Sequence, residues 1–152
     1  MRIYITLVLT VLVLNCCKEK KTRNIDICYY EGDSIANQIL CFKEGVLDGA
    51  YFSFYPNGHV KAQEFYSDGL KNGANYYFND DGTLESIKTY KSGVQDGIFI
   101  GYYPSGNKRY FMNYFTGKPT GEAFEYKDTT STFLTVKLYY NDNGEIIKRE
   151  YY

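Results

Sequence analysis

Residues Gly49–Tyr66 read GAYFSFYPNGHVKAQEFY. Apolar and polar side chains alternate on either side of Tyr55-Pro56-Asn57-Gly58, the two-residue period of a β-strand. Pro56 presets φ for the first central position of a turn, and Gly58 accepts the left-handed conformation that closes a hairpin with a bulge. The turn is rewritten as Asn79-Asp80-Asp81-Gly82 and as Tyr103-Pro104-Ser105-Gly106.

Working outward, 11 of the 14 glycines fall in three columns spaced by 24: Gly45, Gly69, Gly93 and Gly117; Gly49, Gly73, Gly97 and Gly121; Gly58, Gly82 and Gly106. A fixed period of this size marks a stack of supersecondary units. The units are 24–47, 48–71, 72–95, 96–119 and a longer, irregular 120–152. The first two columns frame Gly45-Val46-Leu47-Asp48-Gly49 and its copies, where two glycines four apart predict a tight reversal. The expectation is an all-β fold, an open antiparallel meander of stacked β-hairpins with about ten strands.

Column alignment separates the faces. Ala50, Phe52 and Phe54, then Ala74, Tyr76 and Phe78, then Ile98, Ile100 and Tyr102, with looser Cys28-Tyr30 and Phe124-Tyr126 positions, form the expected buried set. A second-strand ladder of Phe42, Tyr66, Tyr90 and Tyr114 joins it. One hairpin cannot bury its own face, so neighbours share a thin core. Tyr51, Tyr55, Tyr77, Phe99 and Tyr103 point the other way and are the candidate binding face. The end units depart from the pattern, with Glu31-Gly32-Asp33-Ser34 for a turn and Lys127–Thr132 inserted before Phe133–Tyr140, as capping variants do.

The G-x-x-[Asp/Asn]-G punctuation, the Tyr/Phe-rich hairpin and its closing glycine resemble the bacterial MORN-repeat variant family. The resemblance is close over 45–126, reaches back to 24 and frays after Tyr126. It implies an elongated stack of hairpins, a scaffolding role or contact with membrane or lipid, and for some members an antitoxin label in toxin–antitoxin pairs. An antitoxin against a cytosolic toxin should carry no export signal, and the N-terminal residues of this chain are expected to be one.

Met1-Arg2 precedes Ile3–Leu14, an uncharged stretch too short to cross a bilayer, which needs about 20 residues. Leu14-Asn15-Cys16-Cys17 resembles a lipoprotein lipobox. By that resemblance 1–16 is a signal peptide and Cys17 carries the lipid, with Cys16 as the alternative in the frame beginning at Val13 and an ordinary secretory signal as the other reading. Residues 17–24 then form the anchor and a charged tether, and 25–152 the repeat domain. The expected address is the bacterial cell envelope, lipid-anchored, and the outer membrane where the envelope has two.

Chemistry is sparse. The 17 Lys+Arg against 18 Asp+Glu leave no positive excess for nucleic acid. His59 follows a hairpin turn with no partner column, and Asp48, Asp80, Asp81 and Asp96 serve turn geometry. Asn141-Asp142-Asn143-Gly144-Glu145 resembles part of a calcium loop, but Tyr152 stands where the distal glutamate belongs. No metal, cofactor or catalytic residue is expected. Cys28 and Cys41 could pair in an oxidising compartment, yet a hairpin near Gly32 leaves them roughly 13 Å out of register, so Cys28 reads as a small buried hydrophobe. The expected function is a non-catalytic protein–protein binding or scaffolding module whose partner is another envelope protein. The alternatives are a membrane-surface, lipid- or glycan-binding repeat protein, or an antitoxin-like component; oligomeric state is left open.

Overall fold

A computed structural model describes residues 23–29, 31, 35–129 and 133–152. The signal peptide expected over 1–16, the lipidation candidates Cys16 and Cys17, the expected tether as far as residue 22 and Tyr30 lie outside the described residues. The described residues form one open antiparallel sheet of twelve strands. They are β1 Arg23–Tyr29, β2 Ala36–Lys43, β3 Val46–Phe54, β4 Val60–Ser67, β5 Leu70–Lys71, β6 Gly73–Phe78, β7 Leu84–Lys91, β8 Val94–Tyr102, β9 Lys108–Phe115, β10 Lys118–Lys127, β11 Phe133–Tyr140 and β12 Ile146–Tyr151. Each pairs with its neighbours in sequence, except that β4 pairs both with the two-residue β5 and with β6. The two strands beyond the expected ten come from this split at Asn72 and from the last unit, which supplies three strands.

The three closing-glycine turns form as the residues predict, and Asn141-Asp142-Asn143-Gly144 makes a fourth. Gly58, Gly82, Gly106 and Gly144 have φ of 80–87°, and each donates its N–H to the carbonyl three residues back. The reversals differ from the expectation. Each is a two-residue loop in which a non-glycine residue and the first-column glycine both have positive φ: Glu44-Gly45, Asp68-Gly69, Ser92-Gly93 and Thr116-Gly117. This is the type I′ geometry that matches the twist of the strands it joins. The second-column Gly49, Gly97 and Gly121 lie inside strands beside register shifts and Gly73 opens β6, all at φ 67–113°, so they shape bulges and a strand break rather than reversals.

Thr116 holds φ 47° with a β-branched side chain, the costliest choice in that column. Thr116→Asn is expected to stabilise the fold by about 1 kcal/mol, a rise of roughly 3 °C in Tm. Thermal unfolding followed by circular dichroism measures it, and an unchanged or lower Tm would show that the turn is not strained.

A single row of cross-strand partners runs over one face: Ile27, Ile39, Phe52, Gln63, Tyr76, Ile87, Ile100, Phe111, Phe124 and Lys137. On this Phe52 face the dry core sits at the N-terminal end, where Ile39, Ala50, Phe52 and Phe54 are buried against Ile25, Ala36, Val60 and Phe65. Further along, Tyr76, Phe78 and Ile100 are half-buried and Ile98 is exposed, so later units lean on neighbours.

Three expectations need correction. The second-strand ladder does not share the Phe52 face: Tyr66, Tyr90 and Tyr114 lie across from Gly49, Gly73 and Gly97, on the side of Tyr51. Cys28 is exposed, not buried, because Tyr29 pairs with Ala36 where the next unit pairs Phe54 with Val60. The first hairpin loop is thus one residue longer, β1 slips by one, and Ile27 takes the place expected of Cys28. Cys28 pairs with Gln38 and Cys41 with Ile25, and the two thiols are not bridged.

Candidate functional site

The opposite side of the sheet carries a second set of rows: Leu40, Tyr51 and Glu64; Ala62, Tyr77, Ser86, Gly101 and Tyr110; Asn75, Lys88, Phe99 and Met112. Small residues, Ala62, Ser86 and Gly101, are buried there between long aromatic and charged ones. Two T-shaped ring pairs bracket the face, Tyr51–Tyr66 at 6.0 Å and Phe99–Tyr114 at 6.5 Å, the second being the first displaced by two units.

Between them the ring column breaks, because Asn75 stands where Tyr51 and Phe99 stand. Asn75 is fully buried and its Oδ1 accepts the Phe65 N–H at 2.9 Å, filling the gap where β5 draws β4 away from β6. Beside it sits a polar cluster. Glu64 is buried and its carboxylate accepts hydrogen bonds from Lys71 Nζ at 2.5 Å, Tyr66 Oη at 2.8 Å and Tyr77 Oη at 2.8 Å. Lys71 Nζ lies 5.7 Å from the centre of the Tyr77 ring and 5.4 Å from that of Tyr90. Lys88 Nζ lies 5.1 Å from Tyr77 and 5.7 Å from Phe99.

These contacts hold the charges in place. Burial opposes the charge on Glu64, but the bonds from Lys71, Tyr66 and Tyr77 outweigh it and hold the carboxyl below its ordinary range. Burial and the neighbouring Glu64 carboxylate push the Tyr66 and Tyr77 hydroxyls up. Lys71 is disfavoured by burial but lifted overall by Glu64. Glu64, Tyr66, Lys71 and Tyr77 are each displaced away from neutral pH, the reverse of what proton transfer requires.

The five residues of the expected binding face separate into two groups. Tyr51, Tyr77 and Phe99 are half-buried on this plateau, at the two ring pairs and the polar cluster. Tyr55 and Tyr103 sit at the hairpin turns and tie units together: Tyr55 Oη donates to the Phe78 carbonyl and Tyr103 Oη to the Tyr126 carbonyl, both at 3.0 Å. Lys61 and Arg109 cover their rings. The same end is laced by Asn57 Nδ2 and His59 Nδ1, each 2.7 Å from the Asp80 carbonyl; that contact makes Nδ1 the protonated nitrogen of His59.

The opposite rim holds what the sequence reading passed over. Val46, Leu70 and Val94 are exposed, 24 residues apart, and a Cβ placed on the next turn's glycine would stand 3.4–3.5 Å from each. The turns are stitched by the Gly69, Gly93 and Gly117 N–H groups donating to the Leu47, Lys71 and Gln95 carbonyls. Asp96 Oδ2 accepts the Thr116 N–H at 3.1 Å and Asp48 Oδ2 the Asp68 N–H at 3.4 Å. The period-24 recurrence of valine and leucine after the first-column glycine was the signal for this stripe. Among the described residues, no three His, Cys, Asp or Glu side chains are placed to hold a metal ion.

A MORN repeat variant is found at residues 47–68, which spans β3, the Tyr55–Gly58 turn and β4. The chain is similar to a chain of the Glycosylation Associate Protein (Gap123) complex from Streptococcus agalactiae, with 20% identity and a TM-score of 0.41 over 74% of this chain. It spans about a fifth of that chain's length, 20%. No curated protein matches it.

Proposed function

We propose that this chain is a non-catalytic binding module that holds another envelope protein against the plateau of Tyr51, Tyr77 and Phe99, with the bacterial membrane reached through a lipid on Cys17 or Cys16. The observation that carries the reading is the plateau itself. Half-buried rings recur over successive units around a cluster whose charges are fixed by mutual hydrogen bonds. Such a surface offers large rigid rings and pre-oriented donors, which costs little ordering on association. The MORN repeat variant within the sheet supports a repeat-type module, and Leu14–Lys18 supports the anchor. A second reading, contact with the lipid surface beyond the anchor, draws on the exposed Val46, Leu70 and Val94 stripe.

The test is affinity capture of the full-length chain from gently solubilised envelopes, with mass spectrometry of bait and prey. A stoichiometric prey is expected, reduced at least about tenfold by Tyr51→Ala with Phe99→Ala, together with an acyl mass on the bait that a Cys16→Ala/Cys17→Ala form lacks. A prey indifferent to the ring substitutions overturns the plateau as the site, and a bait without acyl mass overturns the anchor. Vesicle flotation lost on Val46→Ser, Leu70→Ser and Val94→Ser, with no prey captured, would favour the lipid reading.

A further inference from the structure

Among the described strands, β12 is an edge of the sheet. β12 pairs with β11 alone, and among the described residues nothing pairs with its outer edge. The Tyr152 N–H donates inward to the Thr135 carbonyl at 3.0 Å. Backbone groups alternate along a strand, so the N–H and C=O groups of Arg149 and Tyr151 face outward. An outward row of this kind is a template for another strand. The side chains along it are the most exposed apolar ones at this end of the molecule: Ile147 at 66%, Tyr151 at 73% and Tyr152 at 62%.

We propose that β12 pairs antiparallel with β12 of a second copy of this chain about a two-fold axis at Arg149, making a symmetric dimer with one sheet continuous across both. The argument rests on the register. Antiparallel self-pairing centred on Arg149 sets Lys148 opposite Glu150 of the other copy twice, once on each side of the axis, and Ile147 opposite Tyr151 twice. Shifting the centre by one residue either way loses both Lys148–Glu150 pairs and leaves Lys148 against Lys148 or Glu150 against Glu150 at the axis, with no opposite-charge pair to offset it. The outward groups of Arg149 and Tyr151 are the ones this centre needs for a hydrogen-bonded pair.

Glu150 is arranged to receive a further donor. Its Oε2 accepts from Tyr139 Oη at 2.9 Å and Tyr152 Oη at 3.0 Å, and its Oε1 lies 2.6 Å from Lys148 Nζ of its own strand. A carboxylate accepts about four hydrogen bonds, so Oε1 keeps a lone pair for the second copy's lysine. Arg149 meets its own copy at the axis, an exposed like-charged pair that is the one unfavourable contact of this register. The other edge, β1, offers no such match: centred on Asp26 it sets aspartate against aspartate.

The test is sedimentation of the full-length chain in mild detergent over a concentration series, with carbodiimide cross-linking of a mixture of isotopically light and heavy chains. Dimer is expected to form, with a mixed-isotope link joining Lys148 of one copy to Glu150 of the other. Lys148→Glu or Glu150→Lys alone should weaken the dimer about tenfold, and the two exchanged together should restore it. Arg149→Thr should tighten it by removing the axial like-charge pair. Arg149→Pro, which deletes an outward N–H and leaves the β11 ladder intact, should abolish it while the monomer keeps the wild-type circular dichroism spectrum. A chain monomeric at about 100 µM, or a dimer that survives Arg149→Pro and ignores the charge exchange, overturns the proposal. Circular dichroism of each variant separates loss of pairing from loss of fold.

Discussion

Phe52→Ala is expected to remove about 3–4 kcal/mol of stability, the largest loss from any single apolar truncation in this chain. Phe52 is 1% exposed at the centre of the buried cluster with Ile39, Ala50 and Phe54. Its cross-strand partners are Ile39 on one side and Gln63 on the other, so the cavity opens between two units. A single-layer sheet has no opposing layer to seal the void, so water reaches part of it and the cost sits in the lower part of the range for this substitution. Chemical denaturation followed by far-ultraviolet circular dichroism measures it. Phe111→Ala, at the equivalent row position but half-buried, is the control and should cost about half as much. Equal losses at the two sites, or a loss below about 1 kcal/mol at Phe52, would mean that the core is spread evenly along the stack.

The second large effect belongs to Glu64. Glu64→Ala leaves the Tyr66 and Tyr77 hydroxyls without their acceptor and Lys71 without its counter-charge, a loss of about 3 kcal/mol. Lys71 keeps 30% of its side chain exposed, so water takes up part of that deficit. Lys71→Met should therefore cost only about 1 kcal/mol, and the Glu64→Ala/Lys71→Met double variant should fall short of the sum. Near-additive losses would show that the pair does not couple.

The cluster also predicts a pH dependence. The folded Glu64 carboxyl titrates below its ordinary 4.5, so its contribution is present above that value and is lost as pH falls through the lower, folded value. The stability gap between the wild-type chain and Glu64→Gln should be widest at neutral pH and close in strongly acidic solution. A gap that stays constant between pH 7 and pH 2 would mean that the charge on Glu64 contributes nothing.

The plateau was legible in part. Alternation along β3 and β8 places Tyr51 and Phe99 away from Phe52 and Ile100, and the structure keeps them there. Glu64, Lys71 and Tyr77 were not legible as a group, because they come from different columns of the repeat and from three strands. They meet only because β5 diverts the chain at Asn72 and returns it so that Ala62 pairs with Tyr77. Nor could alternation show that Tyr55 and Tyr103 would spend their hydroxyls on the carbonyls of the following unit.

What the sequence determined by itself is local: the 24-residue period, the hairpin in each unit, and the turns at Gly58, Gly82, Gly106 and Gly144, where backbone conformation restricts the residue. Tertiary structure alone decided the register of β1, the sharing of one face by the tyrosine ladder and Tyr51, and the partners of Glu64. The physical reason is the same in each case. A turn is set by the φ of a few adjacent residues, whereas register depends on loop length and bulges summed along the chain, and one residue more or less turns every side chain of a strand to the other face.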